Sequence, residues 1–292
     1  MANYKPTAVD IKNLRDKTLA GFQDCQKALT EANGDMAMAE DIIRKKGLQV
    51  AAKKAHREAS EGLVVARISD DKSSGALIEV NCETDFVCKT DSFKGLTEKL
   101  ADHIFAKGPE GYCEGPDLYD STIESEGGKS VKIVIDETIG QIGENMGLKR
   151  IVRYCAQGPG VVHAYIHPPG KIGVIIEVGC ANDSDKDKCD EIAHELALQV
   201  AFADPSYIAP KDIPPDILAK EKEIAEAKAR EQGKPEHIVP KIAEGILRKY
   251  YAEECLLEQP YAKEPKINVK DFIKQTGVQG VEVRRFARFS LK

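Results

Sequence analysis

Apolar residues change period along the chain, and the changes mark its elements. In the first fifty-odd residues they recur at helical spacing. Thr7 followed by Asp10 reads as a helix N-cap with an acid in the first turn, and Ala8, Ile11 and Leu14 then share a face. Leu19-Ala20-Gly21 interrupts the pattern. A second helix is predicted from about Phe22 to Ala32, ending at the turn dipeptide Asn33-Gly34. A third starts at Asp35, carries Ala39, Ile42 and Ile43, and is expected to stop near Gly47 after a basic last turn. The Ala-rich basic stretch from Gln49 to Arg57 reads as a helical connector.

The period then falls to two. Val64, Ala66 and Ile68 alternate, and Ile78, Val80 and Cys82 continue on the next segment, so an antiparallel hairpin is predicted with its turn at Asp70–Ser74. The same pattern returns ungapped further on. Gly62–Asp85 reads GLVVARISDDKSSGALIEVNCETD and Gly160–Asp183 reads GVVHAYIHPPGKIGVIIEVGCAND. The pairs Gly62/Gly160, Val64/Val162, Gly75/Gly173, Glu79/Glu177, Cys82/Cys180 and Asp85/Asp183 fall in register, which implies two copies of one structural unit. Each hairpin leads into a helix, Phe93–Lys107 in the first copy and Asp187–Phe202 in the second. Val131, Val134, Ile135, Thr138 and Ile142 define one more helix. Lys149–Tyr154 and Val281–Phe289 are the expected third strands.

Between Pro210 and Glu258 the composition shifts to Lys, Glu, Ala and Ile. Ile217, Glu221, Ile224 and Lys228 lie on one predicted helix; Ile238, Ile242, Ile246 and Tyr250 lie on another, with Gly233-Lys234-Pro235 between them. This reads as a helical hairpin with a narrow apolar stripe, inserted inside the second unit. Pro240 fits the second helix only in its first turn. The fold class is thus α+β: an N-terminal three-helix bundle (1–55), a first antiparallel-sheet-plus-helix subdomain (56–157), a related second one (158–209 and 259–292), and an inserted antiparallel helical hairpin (210–258).

The repeat also isolates what it does not share. After Asp85 the first copy continues Phe86-Val87-Cys88-Lys89; after Asp183 the second continues Ser184-Asp185-Lys186-Asp187. Phe86 has two readings: a core residue just beyond a strand, or an exposed apolar wedge of the kind that anchors interfaces. His167, in the second hairpin's turn, is either a solvated turn residue or a partner contact.

Composition narrows the function. The 292 residues carry a formal net charge of −6, which argues against general nucleic-acid binding. The first residues lack a signal-peptide core, and no apolar run approaches the ~20 residues that span a bilayer, so a cytosolic protein is expected. The eight cysteines include no CxxC pair and read as free thiols in a reducing compartment. Gly127-Gly128-Lys129-Ser130 echoes a phosphate-binding loop, but Ile123 stands where its first glycine belongs, and a surface turn is the better reading. His194-Glu195 lacks the second histidine of a zinc-protease helix and reads as a helix-surface pair. No catalytic set is visible. A binding protein without cofactor or metal is expected, not an enzyme.

Asn81-Cys82-Glu83-Thr84-Asp85-Phe86-Val87 resembles the elongation factor Ts family. Asp24–Asp35, Ala51–Ala55, Ile142-Gly143-Glu144-Asn145, Gly233-Lys234-Pro235 and Arg285–Phe289 extend the resemblance over nearly the whole chain. The resemblance implies a ubiquitin-associated-like bundle, two related core subdomains and a protruding helical hairpin. It implies guanine-nucleotide exchange on elongation factor Tu, bound both with GDP and empty. Thr84, Asp85, Phe86 and Val87 would be the segment that displaces Mg²⁺, with Phe86 as the wedge. Leu14, Arg15, Phe22 and Gln23 match the family's N-terminal contact set; Ile142, Gly143 and His167 match positions near the nucleotide's phosphate-binding loop. Phe22-Gln23 departs from the apolar pair found there in some members, and the C-terminal tail that some members use as an extra contact is not matched. A homodimer or 2:2 complex through the hairpin or the core is left open. Two other functions stay open beside exchange: a translation-associated scaffold that binds a GTPase without exchange, and a small-molecule transferase using the cleft between the units.

Overall fold

The computed structural model describes residues 4–231 and 235–291. The chain begins with three helices, α1 (Ala8–Thr18), α2 (Phe22–Glu31) and α3 (Met36–Lys54). Thr7 caps α1 in a reciprocal box with Asp10, and Leu19 ends it in a left-handed conformation (φ 55°). Ile11, Leu14, Cys25, Ala28, Leu29 and Ala39 close the bundle's small core. The third helix does not stop at Gly47. It runs on to Lys54, absorbing most of the expected connector. The glycine serves packing instead. A Cβ built on Gly140 of α6 (Val131–Ile142) would lie 2.5 Å from the Gly47 Cα, so the two helices cross at bare backbone. Lys54 then donates to the Gly143 carbonyl at the end of α6.

The first unit follows. Strands β1 (Glu61–Ile68) and β2 (Ser74–Cys82) form the expected hairpin. A short turn of helix, α4 (Asp85–Cys88), leads into α5 (Asp91–Lys107), capped by Thr90. Strand β3 (Gly111–Glu114) was not legible in the pattern; it adds an edge to the sheet. The Gly127–Ser130 segment lies between β4 (Thr122–Ile123) and β5 (Lys129–Ser130), two-residue strands that pair with each other, and both glycines have positive φ. It is a turn. Strand β6 (Met146–Cys155) completes a sheet of order β1-β2-β6-β3.

The second unit repeats the plan. Strands β7 (Gly160–His167) and β8 (Ile172–Gly179) form its hairpin, and α7 (Lys186–Ala203) covers it. Helices α8 (Pro215–Glu231) and α9 (Val239–Glu254) form the helical hairpin. Its buried stripe is Ala225 and Ala229 against Val239, Ala243 and Leu247; the expected Ile224 is exposed. Small residues let these helices approach closely, which leaves the larger isoleucine outside. Pro240 sits in the first turn of α9, where its missing N–H has no intrahelical role. The expected break at Gly233-Lys234 lies outside the described residues. Strands β9 (Pro260–Tyr261) and β10 (Glu264–Asn268) pair beside α10 (Val269–Gln275), and β11 (Glu282–Ser290) closes a sheet of order β11-β8-β7.

The two units meet through matched contacts. The Val64 N–H donates to the Gly170 carbonyl (2.8 Å), and the Val162 N–H donates to the Lys72 carbonyl (2.8 Å). Val64 and Val162 are repeat counterparts, as are Lys72 and Gly170, so each hairpin turn lands on the other unit's first strand. Val64, Leu77, Val162 and Ile175 fill one shared core with Tyr154 and Phe289. Gly75 and Gly173 permit the contact: a Cβ on Gly173 would stand 2.4 Å from a Val64 methyl group.

Buried carboxylates tie the third strands in. Glu79 and Glu177 are both fully buried on the centre strands. Arg150 on β6 meets Glu79 (2.7 Å), and Arg285 on β11 meets Glu177 (2.6 Å). A register shift in each pair adds a second basic residue, Lys149 (3.6 Å) and Arg284 (3.1 Å), against the same carboxylate. The Arg150 guanidinium lies over the Phe289 ring of the other unit, and that of Arg285 lies over Tyr154 (4.3 and 4.2 Å to the centroids). Removing one partner from such a cluster strands the opposite charge. Glu177→Ala is therefore expected to cost about 3 kcal/mol in denaturant unfolding, while the exposed Glu223→Ala should stay within ~0.5. Equal midpoints for the two variants would show that the cluster does not hold the sheets.

Candidate functional site

The unshared element leaves the end of β2. The Glu83 carboxylate accepts from the Asn145 N–H (2.6 Å) and pairs with Arg57 (3.4 Å). These contacts hold it below the usual carboxylate range, the Asn145 amide contributing most. Thr84 donates twice to Glu144: its N–H to Oε2 (3.0 Å) and its hydroxyl to Oε1 (2.8 Å). The loop after β2 is thereby stapled to the residues that follow α6. This brings Ile142 and Gly143 beside Thr84, although they are some sixty positions away in sequence. Gly143 ends α6 with φ 84°, a conformation that suits glycine.

Within α4 the side chains divide. Val87 and Cys88 point into the first unit's core. Val87 forms the floor of the element in the unbound chain, and Asp85 and Phe86 are the side chains left on its surface. Asp85 is exposed, and Phe86 is 76% exposed. The Asp85 carboxylate accepts from Lys89 (2.8 Å), which lowers its pKa, and the Lys89 ammonium stands 5.5 Å from the Phe86 ring centroid. A core role for Phe86 is excluded by its exposure. In the second unit the counterpart segment is a polar turn, Asp183–Asp185, with Lys186 on Asp183 (3.2 Å).

His167 ends β7 and is exposed, its Nδ1 2.9 Å from the Tyr165 hydroxyl. It borders a groove of about 430 Å³ lined also by Tyr165, Ile172, Phe202 and Arg288. The hairpin turn that carries it reaches the first unit through Gly170, and Lys171 pairs with Glu61 there. The Lys171 charge also helps to lower the Asp85 pKa, which puts the turn and the wedge on neighbouring surface.

On the bundle, Leu14 is fully buried in the unbound chain. Its place one residue before Arg15 explains the match: it sets the helix that carries the exposed Arg15. Phe22 is 53% exposed, and Gln23 is exposed beside it. Among the described residues, the exposed apolar side chains that the pattern did not single out include Leu19 and Phe202. Leu19 is 59% exposed, next to Phe22 across the α1–α2 turn. Phe202 is 81% exposed at the end of α7. Its signal was available, since it falls off the stripe made by Cys189, Ile192, Leu196 and Val200. His194 and Glu195 are not a simple surface pair. His194 Nδ1 lies 3.2 Å from His163 Nε2, and Glu195 accepts from Tyr261 (2.7 Å) and Lys263 (2.6 Å).

Among the described residues no three or more His, Cys, Asp or Glu side chains are placed to hold a metal ion. No described helix is long and apolar enough to cross a membrane.

The family model described as Elongation factor TS matches residues 83–292. Elongation factor Ts of Aquifex aeolicus is 43% identical over 284 residues, covering 97% of this chain and 96% of that protein. Elongation factor Ts of Trichlorobacter lovleyi is 41% identical over 290 residues, covering 98% and 92%. That of Halothermothrix orenii is 40% identical over 283 residues, covering 97% and 91%. The chain belongs to the elongation factor Ts family.

The staple has a direct test. Glu144→Ala removes both acceptors of Thr84, so the Glu83–Cys88 segment should exchange its amide hydrogens faster while global stability falls by only about 1–2 kcal/mol. Unchanged protection of the Thr84 amide would show that the loop is held by other contacts.

Proposed function

We propose that this chain is a guanine-nucleotide exchange factor that binds elongation factor Tu in its GDP state, displaces Mg²⁺ from that partner and releases GDP so that GTP can enter. The observation that carries the reading is Phe86: a large apolar side chain left 76% exposed on a turn whose other side is anchored in the core. An exposed aromatic on a rigid support is the usual form of an interface anchor.

The mechanism follows from how a GTPase holds GDP. Backbone amides and Mg²⁺ neutralise the phosphates, and Mg²⁺ demands near-octahedral geometry. A wedge that shifts a neighbouring helix of the partner spoils that geometry without touching the nucleotide. Phe86 supplies the wedge, Asp85 beside it a polar contact, and the Thr84–Glu144 staple the stiffness to transmit force. Ile142, Gly143 and His167 extend the same face; Arg15, Phe22, Gln23 and Leu19 give the bundle a separate contact. By linkage the factor weakens GDP binding by the same ratio by which GDP weakens factor binding. Exchange is accelerated while no bond of the nucleotide is made or broken, so the chain acts without enzymatic chemistry. A site in the cytoplasm follows from that partner.

GDP release from elongation factor Tu tests this. Phe86→Ala should slow stimulated release sharply with an unchanged unfolding midpoint, because the side chain is not part of the core. A loss of ~3–5 kcal/mol of stability would instead mark it as buried. Asp85→Asn should reduce release less than Phe86→Ala does; the opposite order would assign the effect to charge. Excess chelator should shrink the fold-stimulation, since the ion the factor displaces is already gone. Equal stimulation with and without Mg²⁺ would remove Thr84–Val87 from the role of ion displacement. A factor that binds the GTPase but leaves the off-rate unchanged would be a scaffold.

A further inference from the structure

The turn that carries Phe86 is bracketed by two thiols. Cys82 is the last residue of β2 and Cys88 the last of α4, and their sulfurs lie 3.4 Å apart. Both side chains are buried. Cys82 donates to the Thr84 carbonyl (3.2 Å), and Cys88 lies within reach of the carbonyls of Gly62 (3.4 Å) and Thr84 (3.6 Å). A disulfide needs about 2.05 Å between sulfurs, so closure requires a contraction of a little over 1 Å. Five residues, Glu83 to Val87, lie inside the ring that would form, and Phe86 is one of them.

We propose that Cys82 and Cys88 form a reversible intramolecular disulfide that switches off the exchange element they enclose. The regulatory consequence rests on the exchange role proposed above; formation of the bond does not. The two ends of the bracket are unequal. Cys82 is paired on both sides in the sheet, opposite Glu61 and Met146, and cannot travel far. Cys88 ends a four-residue helix held mainly by Val87 and the Thr84–Glu144 staple. Contraction therefore falls on α4 and drags Phe86 with it. It also removes the S–H donors to Thr84 and Gly62.

The oxidant is a peroxide. Cys88 is the less covered thiol and ends the short helix that can open, whereas Cys82 is held on both sides in the sheet, so Cys88 attacks first. As a thiolate it attacks one peroxide oxygen. The O–O bond breaks, a sulfenic acid forms on Cys88, and the departing hydroxide is protonated to water. The Cys82 sulfur then attacks the Cys88 sulfur. The S–S bond forms, the S–O bond breaks, and the second hydroxide leaves as water with the Cys82 proton. Two thiols lose two electrons and one peroxide gains them. Because both sulfurs are covered, attack passes through local opening of α4. A partner seated on Phe86 would hinder that opening, so the free factor is the sensitive form.

The repeat supplies an internal control. Cys180 is the counterpart of Cys82, and Cys189 on α7 lies close enough to it that the neighbouring thiol adds to the effect of burial in raising Cys189. Between them lie the polar Asp183–Asp185 turn and the polar start of α7, with no exposed aromatic. Closing that pair constrains no wedge.

The test treats the free factor with hydrogen peroxide, removes the oxidant by gel filtration, and mixes the protein with elongation factor Tu carrying labelled GDP. The tryptic peptide Ser73–Lys89 holds both thiols and should lose the mass of two hydrogens. Stimulated GDP release should fall by about tenfold and recover with dithiothreitol. Cys88→Ala should stimulate release normally before and after peroxide, whereas Cys180→Ala should respond as the unaltered protein does. The proposal fails if the peptide stays reduced, if the bond forms and release is unchanged, or if Cys88→Ala is inhibited equally. A reduced factor that never stimulates release would overturn the exchange role, and the peptide mass would still decide whether the pair closes.

Discussion

Two buried glutamates tie the third strand of each sheet to its centre strand. Glu79 and Glu177 sit on the centre strands of the two sheets, each facing a pair of basic residues on the third strand. A buried carboxylate is tolerated only when its charge is met, and here the partners that meet it also reach across to the other unit. Arg150 covers Phe289 and Arg285 covers Tyr154. The charge pair therefore fixes the third strand within its own sheet and the two sheets against each other. Removing that constraint would leave the shared core of Val64, Leu77, Val162 and Ile175 without a rim.

The proposed docking face depends on this arrangement. Its pieces come from distant parts of the chain: the α4 turn, the end of α6, the turn after β7. The α4 turn is placed by β2, and the His167 turn by β7 and by Gly170 on Val64. Glu144 then joins the first two through Thr84. The duplicated scaffold thus provides two rigid platforms, and a single unshared turn makes one of them different. Duplication supplies the platform, and divergence after Asp85 supplies the exposed aromatic on which the proposed function rests.

Much of this was legible in the residues. Period-two segments and the ungapped repeat located both hairpins, and divergence after the shared aspartate pointed to Phe86. Three features were hidden for physical reasons. Gly47 reads as a helix stop by local propensity, but a crossing with Gly140 uses its missing side chain, and such tertiary use leaves no local trace. The hairpin's stripe was assigned to isoleucines, yet alanines fill it because close helix approach favours small residues. Leu14 and Val87 lie inside the unbound chain, because which side chains of a short segment face out is set by the tertiary packing and not by the segment itself. The third-strand pairs Lys149-Arg150 and Arg284-Arg285, each followed by an aromatic at Tyr154 or Phe289, extended the repeat further than the alternation alone revealed.

The proposed exchange role has an exposed aromatic on a stiff turn open the nucleotide site of a partner GTPase. It is tested most directly by the rate of GDP release from elongation factor Tu in Mg²⁺ buffer with the unaltered chain and with Phe86→Ala, both shown to be equally folded. The account predicts strong stimulation by the first and a large loss with the second. Equal stimulation by both proteins would contradict it.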